Sequence, residues 1–199
     1  MATSPSATIL TAVEQHGLLL VHDQALPCVT ALITGGPVAG SWWSHPSAGE
    51  IYNALAELED RDEIASVKLV AGKETLVARR WWPALAAVGA AREGWQLDAL
   101  SPGQLALLLT VDAADLPTVI DRCSAEDARV LERRLLAHGT SAHTPVGAHR
   151  KALQPWASFA RHHDVGPVRP PPEEARQAFA AIVAGWSGGG RRRLLPWPS

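Results

Sequence analysis

The chain has 199 residues, of which 47% are hydrophobic, so it can bury the core of one domain or of two small ones. Its formal net charge of −2 excludes a strongly basic protein that binds nucleic acid through its overall charge. The apolar runs are too short to span a bilayer, and Cys28 and Cys123 are typical of buried thiols in a reducing compartment. We therefore expect a soluble cytoplasmic protein without membrane contact.

Capping residues and apolar periodicity predict four elements in the first 60 residues. Ser6 suits the N-cap of the first helix, and Gly17 suits its end. Ser47 and Glu50 have the spacing of a capping box, which predicts the start of a longer helix whose outer face is acidic. The predicted elements are a helix over 6–16, a buried strand over 18–22, a short helix over 27–33 and a helix over 47–59.

The stretch 66–83 organises the first half of the chain. Apolar and β-branched residues stand on both sides of the loop 71–74, which contains a glycine and predicts a β-hairpin. Trp81 and Trp82 follow, and Pro83 suits the first turn of a helix that ends near residue 92. A hairpin with a cationic tip and flanks behind an amphipathic helix indicates a winged helix. The cations are Lys68, Lys73, Arg79 and Arg80.

A second unit is predicted from Leu100 onward. Ser101 and Gln104 form a capping-box pair at the start of an apolar helix, and Ser124 with Asp127 suits the start of a later one. A tight turn before the third helix is typical of a helix-turn-helix with a short wing. The predicted elements are helices over 101–111, 116–122 and 125–138, an extended run over 140–144 and a further helix over 149–161.

The expected fold is therefore α+β and mostly helical, with two winged-helix-like units and a docked C-terminal helix. The first unit covers 6–95 and the second covers 100–163. The remaining segment, 167–199, combines a proline-rich linker, an amphipathic helix and a basic tail. The two units share an order of elements, which fits a tandem arrangement.

The strongest functional signal is a separation of charge. No Asp or Glu occurs between Arg133 and His163, whereas the stretch 112–132 is net acidic. A basic strip interleaved with aromatic residues favours contacts with a phosphate backbone. The alternative is a solvated face that pairs with the acidic helices of the same protein. Together with the hairpin cations, the candidate nucleic-acid-binding residues are Lys68, Lys73, Arg79, Arg80, Arg133, Arg134, His149, Arg150, Lys151 and Arg161.

The helix predicted over 125–138 opens with Glu126 and Asp127. In a helix-turn-helix, base contacts come from the N-terminal part of this helix, where acidic side chains face the phosphates with the wrong sign. The wing and the helix predicted over 149–161 are therefore the better candidates for contact with DNA.

Two indoles and an imidazole precede the helix predicted over 47–59, at Trp42, Trp43 and His45. The indoles are stacking candidates for a nucleic-acid base, and His45 is a candidate acid or base. The alternative is that both tryptophans are core residues and that His45 is bonded to the backbone or caps the helix.

No metal or cofactor is expected. His138, His143 and His149 do not have the spacing of a known zinc site, and neither cysteine is near them in the sequence. The sequence contains no Gly-rich phosphate loop, nucleophile elbow or paired-carboxylate motif.

The order of elements over 8–156, with the segment 68–77 leading to Trp82-Pro83 and a fresh start at 100–102, resembles one group of proteins. These are the winged-helix proteins related to the DNA glycosylases of interstrand-crosslink repair. Such glycosylases have tandem winged helices and a Gln-x-Gln or Gln-x-Asp pair that positions the hydrolytic water. The resemblance implies catalytic roles for Gln96 and Asp98, with His45 or the tryptophan pair near the pocket. In an extended segment, residues two apart point the same way and can share one water.

The leading expectation is a DNA-binding or DNA-associated protein without catalytic activity of its own. The alternative is a DNA N-glycosylase that releases damaged bases. The third hypothesis is a protein-interaction module, with a protein rather than DNA as the partner.

Overall fold

The structure is a computed structural model that describes residues 4–59, 61–143, 149–186 and 193–198. At 141–143 and 149 it describes the backbone alone. The fold is α+β and mostly helical, as predicted. The chain forms two compact units: Met1–Trp82 with Ala178–Leu194, and Pro83–Gln177 with Leu195–Ser199. The greater part of the predicted basic tail, 187–192, lies outside the described residues.

The first unit has the element order of a winged helix, in which three helices alternate with a three-stranded antiparallel sheet. The sheet order is β1-β3-β2, so the first strand pairs with the last strand of the hairpin. The elements are α1 (Pro5–His16), β1 (Leu18–Leu20), α2 (Val29–Thr34), α3 (Ala48–Glu59), β2 (Ile64–Lys68) and β3 (Glu74–Ala78).

The hairpin predicted from the sequence is confirmed. Its strands pair from Ile64 opposite Ala78 to Lys68 opposite Glu74, and a short 3-10 turn at Val70–Gly72 joins them. Ala71 lies in the left-handed region with a φ of 54°, and its amide donates to the carbonyl of Leu194 over 2.6 Å. The turn also uses Gly72, with a φ of 66°, and the hydroxyl of Thr75, which accepts the amide of Val70 at 3.1 Å.

The end of α1 depends on a glycine. Gly17 has a φ of +81°, a conformation that other residues adopt at a cost, and its amide donates to Val13 at 2.7 Å. A Cβ atom at this position would lie 2.6 Å from Nε1 of Trp81. The core of the unit is formed by α1, α3 and the inner face of the sheet, with Ile9, Val13, Leu58 and Leu76 among its buried side chains.

The second unit repeats this topology in reduced form. Its three-stranded sheet has the order β4-β6-β5, which matches the β1-β3-β2 order of the first unit. The capping box of Ser101 and Gln104 is confirmed at the start of α6. The elements are α4 (Trp82–Ala90), α5 (Gly94–Leu97), α6 (Pro102–Asp112), β4 (Thr118–Val119), α7 (Ala125–Arg133), β5 (His138–His143), β6 (His149–Gln154) and α8 (Trp156–His162).

Two helices predicted in the second unit are strands. The stretch 116–122 contains β4 instead of a helix, because Thr118 and Val119 pair with β6. The stretch 149–161 begins as β6, which pairs with β5 along its whole length, and only after Pro155 does α8 start. Arg150 and Lys151 therefore lie on the wing and not on a helix.

The third helix of the second unit is shorter than predicted. α7 ends at Arg133, and Leu135 adopts a left-handed φ of 52° before the chain enters β5. Gly139 does not stop the helix. It lies inside β5, where a Cβ atom would collide with the carboxyl of Glu132. Ser124 does not cap α7 with its side chain; its amide donates to Oδ1 of Asp121 at 2.8 Å.

Outside the wing, helices α4 and α8 of the second unit pack closely against each other. The indole of Trp156 in α8 lies against the backbone of Gly89 in α4, where any Cβ atom would overlap it. The predicted amphipathic helix is confirmed as α9 (Pro172–Ala184), whose residues are divided between the two units after Gln177. Cys28 is buried, as expected, but Cys123 is exposed. In the described part of the chain, no helix has the length and apolar character required to cross a membrane.

A buried leucine on α7 gives a direct test of the packing of the second unit. Leu131 is fully buried among Leu108, Val111 and Leu153. Leu131→Ala should lower the free energy of unfolding by about 2–5 kcal/mol, because it leaves a cavity. The matched control is Leu109→Ala on α6, whose side chain is 62% exposed and should cost no more than about 0.5 kcal/mol. Equal losses in chemical denaturation would contradict this packing.

Candidate binding surfaces

The cations of the first hairpin are bonded to the body of their own unit. Nζ of Lys73 lies 2.7 Å from Oδ2 of Asp23, and Nη1 of Arg80 lies 2.5 Å from Oε2 of Glu14. Arg79 donates to the carbonyl of Asp62 at 2.8 Å. These contacts connect the tip of the hairpin and the residues that follow β3 to other segments of the first unit.

Asp23 is the most buried of the carboxylates that hold this hairpin. Its Oδ1 accepts the amides of Ala25 and Leu26 at 2.8 and 3.0 Å, while Oδ2 accepts from Lys73. Burial works to raise the pKa of Asp23, but the hydrogen bonds from Lys73 and the two amides, with the charge of Lys73, lower it below its ordinary value. Asp23 is therefore ionised wherever the protein is folded near neutral pH.

The outer face of α3 is acidic. Glu50, Glu57 and Glu59 are all exposed, and the helix contains no Lys or Arg. In the described part of the chain, no ion pair involves these three carboxylates, although Glu57 accepts a hydrogen bond from Ser6 at 2.6 Å. The remaining cation predicted in this unit, Lys68, is half-buried and lies opposite Glu74 in the strand register.

Two cations of the basic strip in the second unit, Arg133 and Lys151, are paired with acidic residues that precede them in the sequence. Arg133 and Arg129 both bond to Glu126 at 3.0 Å on the outer face of α7. Lys151 on β6 bonds to Oε1 of Glu132 at 2.6 Å, and the Glu132 side chain is only 7% exposed. These ion pairs are the kind expected from the alternative interpretation of the strip, in which its cations pair with acidic residues of the same protein and not with phosphate.

The other candidates in the strip have different environments. Arg134 donates through Nη1 to the carbonyls of Trp95, Gln96 and Asp98 at 2.7–3.1 Å, and Arg161 bonds to Oγ of Ser158 at 3.0 Å. Arg150 is exposed on the wing, where its charge acts on Asp121. The side chain of His149 lies outside the described residues.

The segment with Gln96 and Asp98 is not extended. Gln96 lies within the short helix α5, and Asp98 is an exposed residue after its end, so the two side chains are not placed side by side. Gln96 is fully buried, and its Nε2 lies 3.2–3.4 Å from the carbonyl oxygens of Gly89, Arg134 and Leu135. Its Oε1 accepts the amide of Glu93 at 2.9 Å. The arrangement makes Gln96 a connector between backbone segments.

Glu93 completes this connector. It forms a capping box with Gln96 and accepts hydrogen bonds from Trp95 and Arg176. Burial works to raise the pKa of Glu93, but the bonds from Arg176 and Trp95 and the charge of Arg176 lower it below its ordinary value. The spacing Glu93-x-x-Gln96 was the sequence signal for this role, since Gln is favoured at the third helical position of a capping box.

The aromatic segment before α3 is exposed rather than buried. Trp42 and Trp43 stack with their ring centroids 4.0 Å apart, and Trp43 lies 5.8 Å from the ring of Tyr52 on α3. Trp43 is 61% exposed and Tyr52 is 51% exposed, so the expectation that Trp43 is a core residue is wrong. Tyr52 was not singled out from the sequence, because its spacing from Trp43 has meaning only in the folded chain.

His45 has a structural role in this segment. Its Nδ1 accepts the amide of Ser47 at 3.1 Å, and its carbonyl accepts the amide of Ala48 at 2.9 Å. The alternative of a backbone-bonded histidine at the start of the helix is therefore confirmed. Within the described ranges, no group of three or more His, Cys, Asp or Glu residues is arranged to hold a metal ion.

The Asp23–Lys73 contact predicts a dependence of stability on pH. Because the pKa of Asp23 is lowered in the folded protein, its contribution is present above the unfolded value near 4 and is lost as pH falls through the folded value. Asp23→Asn should lower the free energy of unfolding by about 1–3 kcal/mol at pH 7, with a difference that shrinks below about pH 4. Asp115→Asn, at an exposed aspartate, is the control. A difference that does not change between pH 7 and pH 3 would contradict the assignment.

Comparison of the chain with protein-family models, with curated proteins and with solved structures found no match.

Proposed function

We propose that this protein is a non-catalytic binding protein whose winged-helix units recognise a protein partner. The observation that carries the proposal is the outer face of α3, the helix in the position that helix-turn-helix proteins place in the DNA major groove. This face presents Glu50, Glu57 and Glu59 with no Lys or Arg. Phosphates would be repelled where the fold usually attracts them.

The distribution of ion pairs supports the same proposal. Phosphate binding requires cations that are free to replace counterions, whereas Lys73, Arg80 and Lys151 each bond to a carboxylate of their own unit. Lys151 in particular neutralises the nearly buried Glu132, so its removal from that contact would leave a buried charge without compensation. These three cations therefore stabilise their own units through ion pairs that phosphate binding would have to break.

Exposed apolar side chains give the proposal its positive support. Aromatic and aliphatic residues enriched at protein interfaces stand on the surface of each unit. In the first unit they are Trp43 and Tyr52, and in the second they are Leu105, Leu109, Leu116 and Val119. The last of these lies on β4, an edge strand of its sheet.

DNA association through the second unit is the second candidate, and one observation favours it. Exposed arginines follow the outer face of α7, the turn before it and the wing, at Arg122, Arg129, Arg133 and Arg150. Release of damaged bases is not part of the proposal, because Gln96 is buried and its amide is bonded to backbone.

A DNA titration over a salt series separates the two candidates. Fluorescence anisotropy of a labelled duplex of about 20 base pairs, and of one of its strands, should show no saturation up to about 50 µM protein at about 50 mM salt. Saturable binding that weakens steeply with added salt would overturn the proposal in favour of DNA. Arg129→Gln with Arg150→Gln would then locate the contact, since both side chains are exposed and neither neutralises the buried Glu132.

A further inference from the structure

Three aromatic residues before and within α3 lie against one another and form what we call the aromatic platform: the half-buried Trp42 and the exposed Trp43 and Tyr52. The two indoles are stacked with an angle of 24° between their planes, and the Tyr52 ring is tilted by 45° against Trp43. On α3, Tyr52 is flanked one turn before and one turn after by the exposed small residues Gly49 and Ala56. A ring face with small neighbours is open to a ligand.

Hydrogen bonds fix the backbone that carries the platform. The amides of Ser44 and His45 donate to the carbonyls of Ser41 and Trp42 at 3.1 and 3.0 Å, which closes the 3-10 turn. The carbonyl of Gly40, just before the turn, is bonded to Nε2 of His22 at 2.9 Å. Because the aromatic residues are held in place before any ligand arrives, little conformational entropy would be lost on binding.

The helix that carries Tyr52 is acidic: α3 contains Glu50, Glu57 and Glu59 and no Lys or Arg. Of these, Glu59 lies two helical turns after Tyr52 on the same face of α3, about 10 Å along the axis. Electron-rich ring faces and carboxylates both attract a cation, so the charge of this surface complements a basic ligand.

Resting on the proposed function, we propose that the aromatic platform and the acidic face of α3 bind an arginine-containing extended segment of a partner protein. A guanidinium is flat and stacks on an indole or phenol ring, while its fork of donors suits a carboxylate. In the extended polyproline II conformation, which has three residues per turn and a rise of about 3.1 Å per residue, side chains three residues apart point the same way and are about 9 Å apart. This is close to the spacing of about 10 Å between Tyr52 and Glu59 along α3, and it defines an Arg-x-x-Arg pattern for the partner.

Binding of synthetic peptides to the full chain tests the proposal. The probe is a labelled peptide of about ten residues, Gly and Ser apart from an Arg-x-x-Arg pair, and the matched probe carries glutamate in place of arginine. We expect saturable binding of the arginine peptide alone. Trp43→Ala and Glu59→Gln should each weaken it about two- to fivefold, since exposed cation–π contacts and exposed ion pairs contribute on this scale.

Two matched variants control for non-specific effects. Val168→Ala shortens an exposed apolar side chain of the second unit, and Glu174→Gln removes an exposed carboxylate of α9; both should leave the affinity unchanged. Circular dichroism checks that each variant is folded, and Tyr52→Ala provides a second removal from the platform.

The outcomes distinguish a failure of the platform site from a failure of the proposed protein-binding function. Wild-type protein that does not bind the arginine peptide, or that binds it equally well after Trp43→Ala and Tyr52→Ala, overturns the platform site while the protein-binding function stands. Binding of labelled single-stranded DNA by the wild type that is lost in the Trp43→Ala variant would make the platform a base-stacking site. That result would overturn both the inference and the proposed function.

Discussion

The second unit depends on how the chain leaves α7 and enters the wing. A helix leaves carbonyl groups without partners at its C-terminus, and here the left-handed Leu135 turns the chain away at once. The carbonyl of Leu135 accepts Nε1 of Trp156 at 2.7 Å, and that of Leu136 accepts Nη1 of Arg92 at 2.8 Å. Nε2 of Gln96 lies between the carbonyls of Arg134 and Leu135. Three side chains from α4–α5 and α8 thus stabilise a turn that the local sequence disfavours.

At this turn Gln96, one residue of the predicted catalytic pair, forms hydrogen bonds with the backbone. Gln96 has two N–H groups for three carbonyl oxygens, an arrangement in which hydrogen bonds are shared. Arg134 serves the same junction from the opposite side, through the carbonyls of α5 and of Asp98. Gln96 and Asp98, to which the resemblance to glycosylases assigns catalytic roles, lie at this junction. There the side chain of Gln96 and the carbonyl of Asp98 form hydrogen bonds that hold the backbone together.

Charge follows the same logic in both units. Two buried carboxylates, Asp23 after β1 and Glu132 on α7, each pair with a lysine of the hairpin in their own unit. Four of the basic residues that suggest nucleic acid in the sequence are paired with carboxylates in the fold: Lys73, Arg80, Arg133 and Lys151. The surface that remains open in the first unit is aromatic and acidic, which is why its proposed ligand is a cationic segment of a protein.

The winged-helix order, the first hairpin and the capping box at Ser101 were predictable from the sequence, because they depend on residues close together in the chain. The strands at 118–119 and 149–154 were not, since His149–Gln154 carries no clear alternation and becomes a strand only through pairing on both of its edges. The ion pairs of Lys73 and Lys151 join residues 50 and 19 positions apart, beyond any local pattern. The exposure of Trp43 also depends on tertiary packing.

Gln96 connects backbone segments of the second unit, and the free energy of unfolding after Gln96→Ala tests this role directly. We expect a loss of about 2–4 kcal/mol in chemical denaturation, because buried carbonyls and the Glu93 amide lose the hydrogen bonds of this side chain. Gln104→Ala removes the corresponding glutamine of the solvent-accessible capping box on α6 and should cost about 1 kcal/mol or less. A Gln96→Ala protein as stable as the wild type would contradict the claim and return Gln96 to the candidates for a functional site.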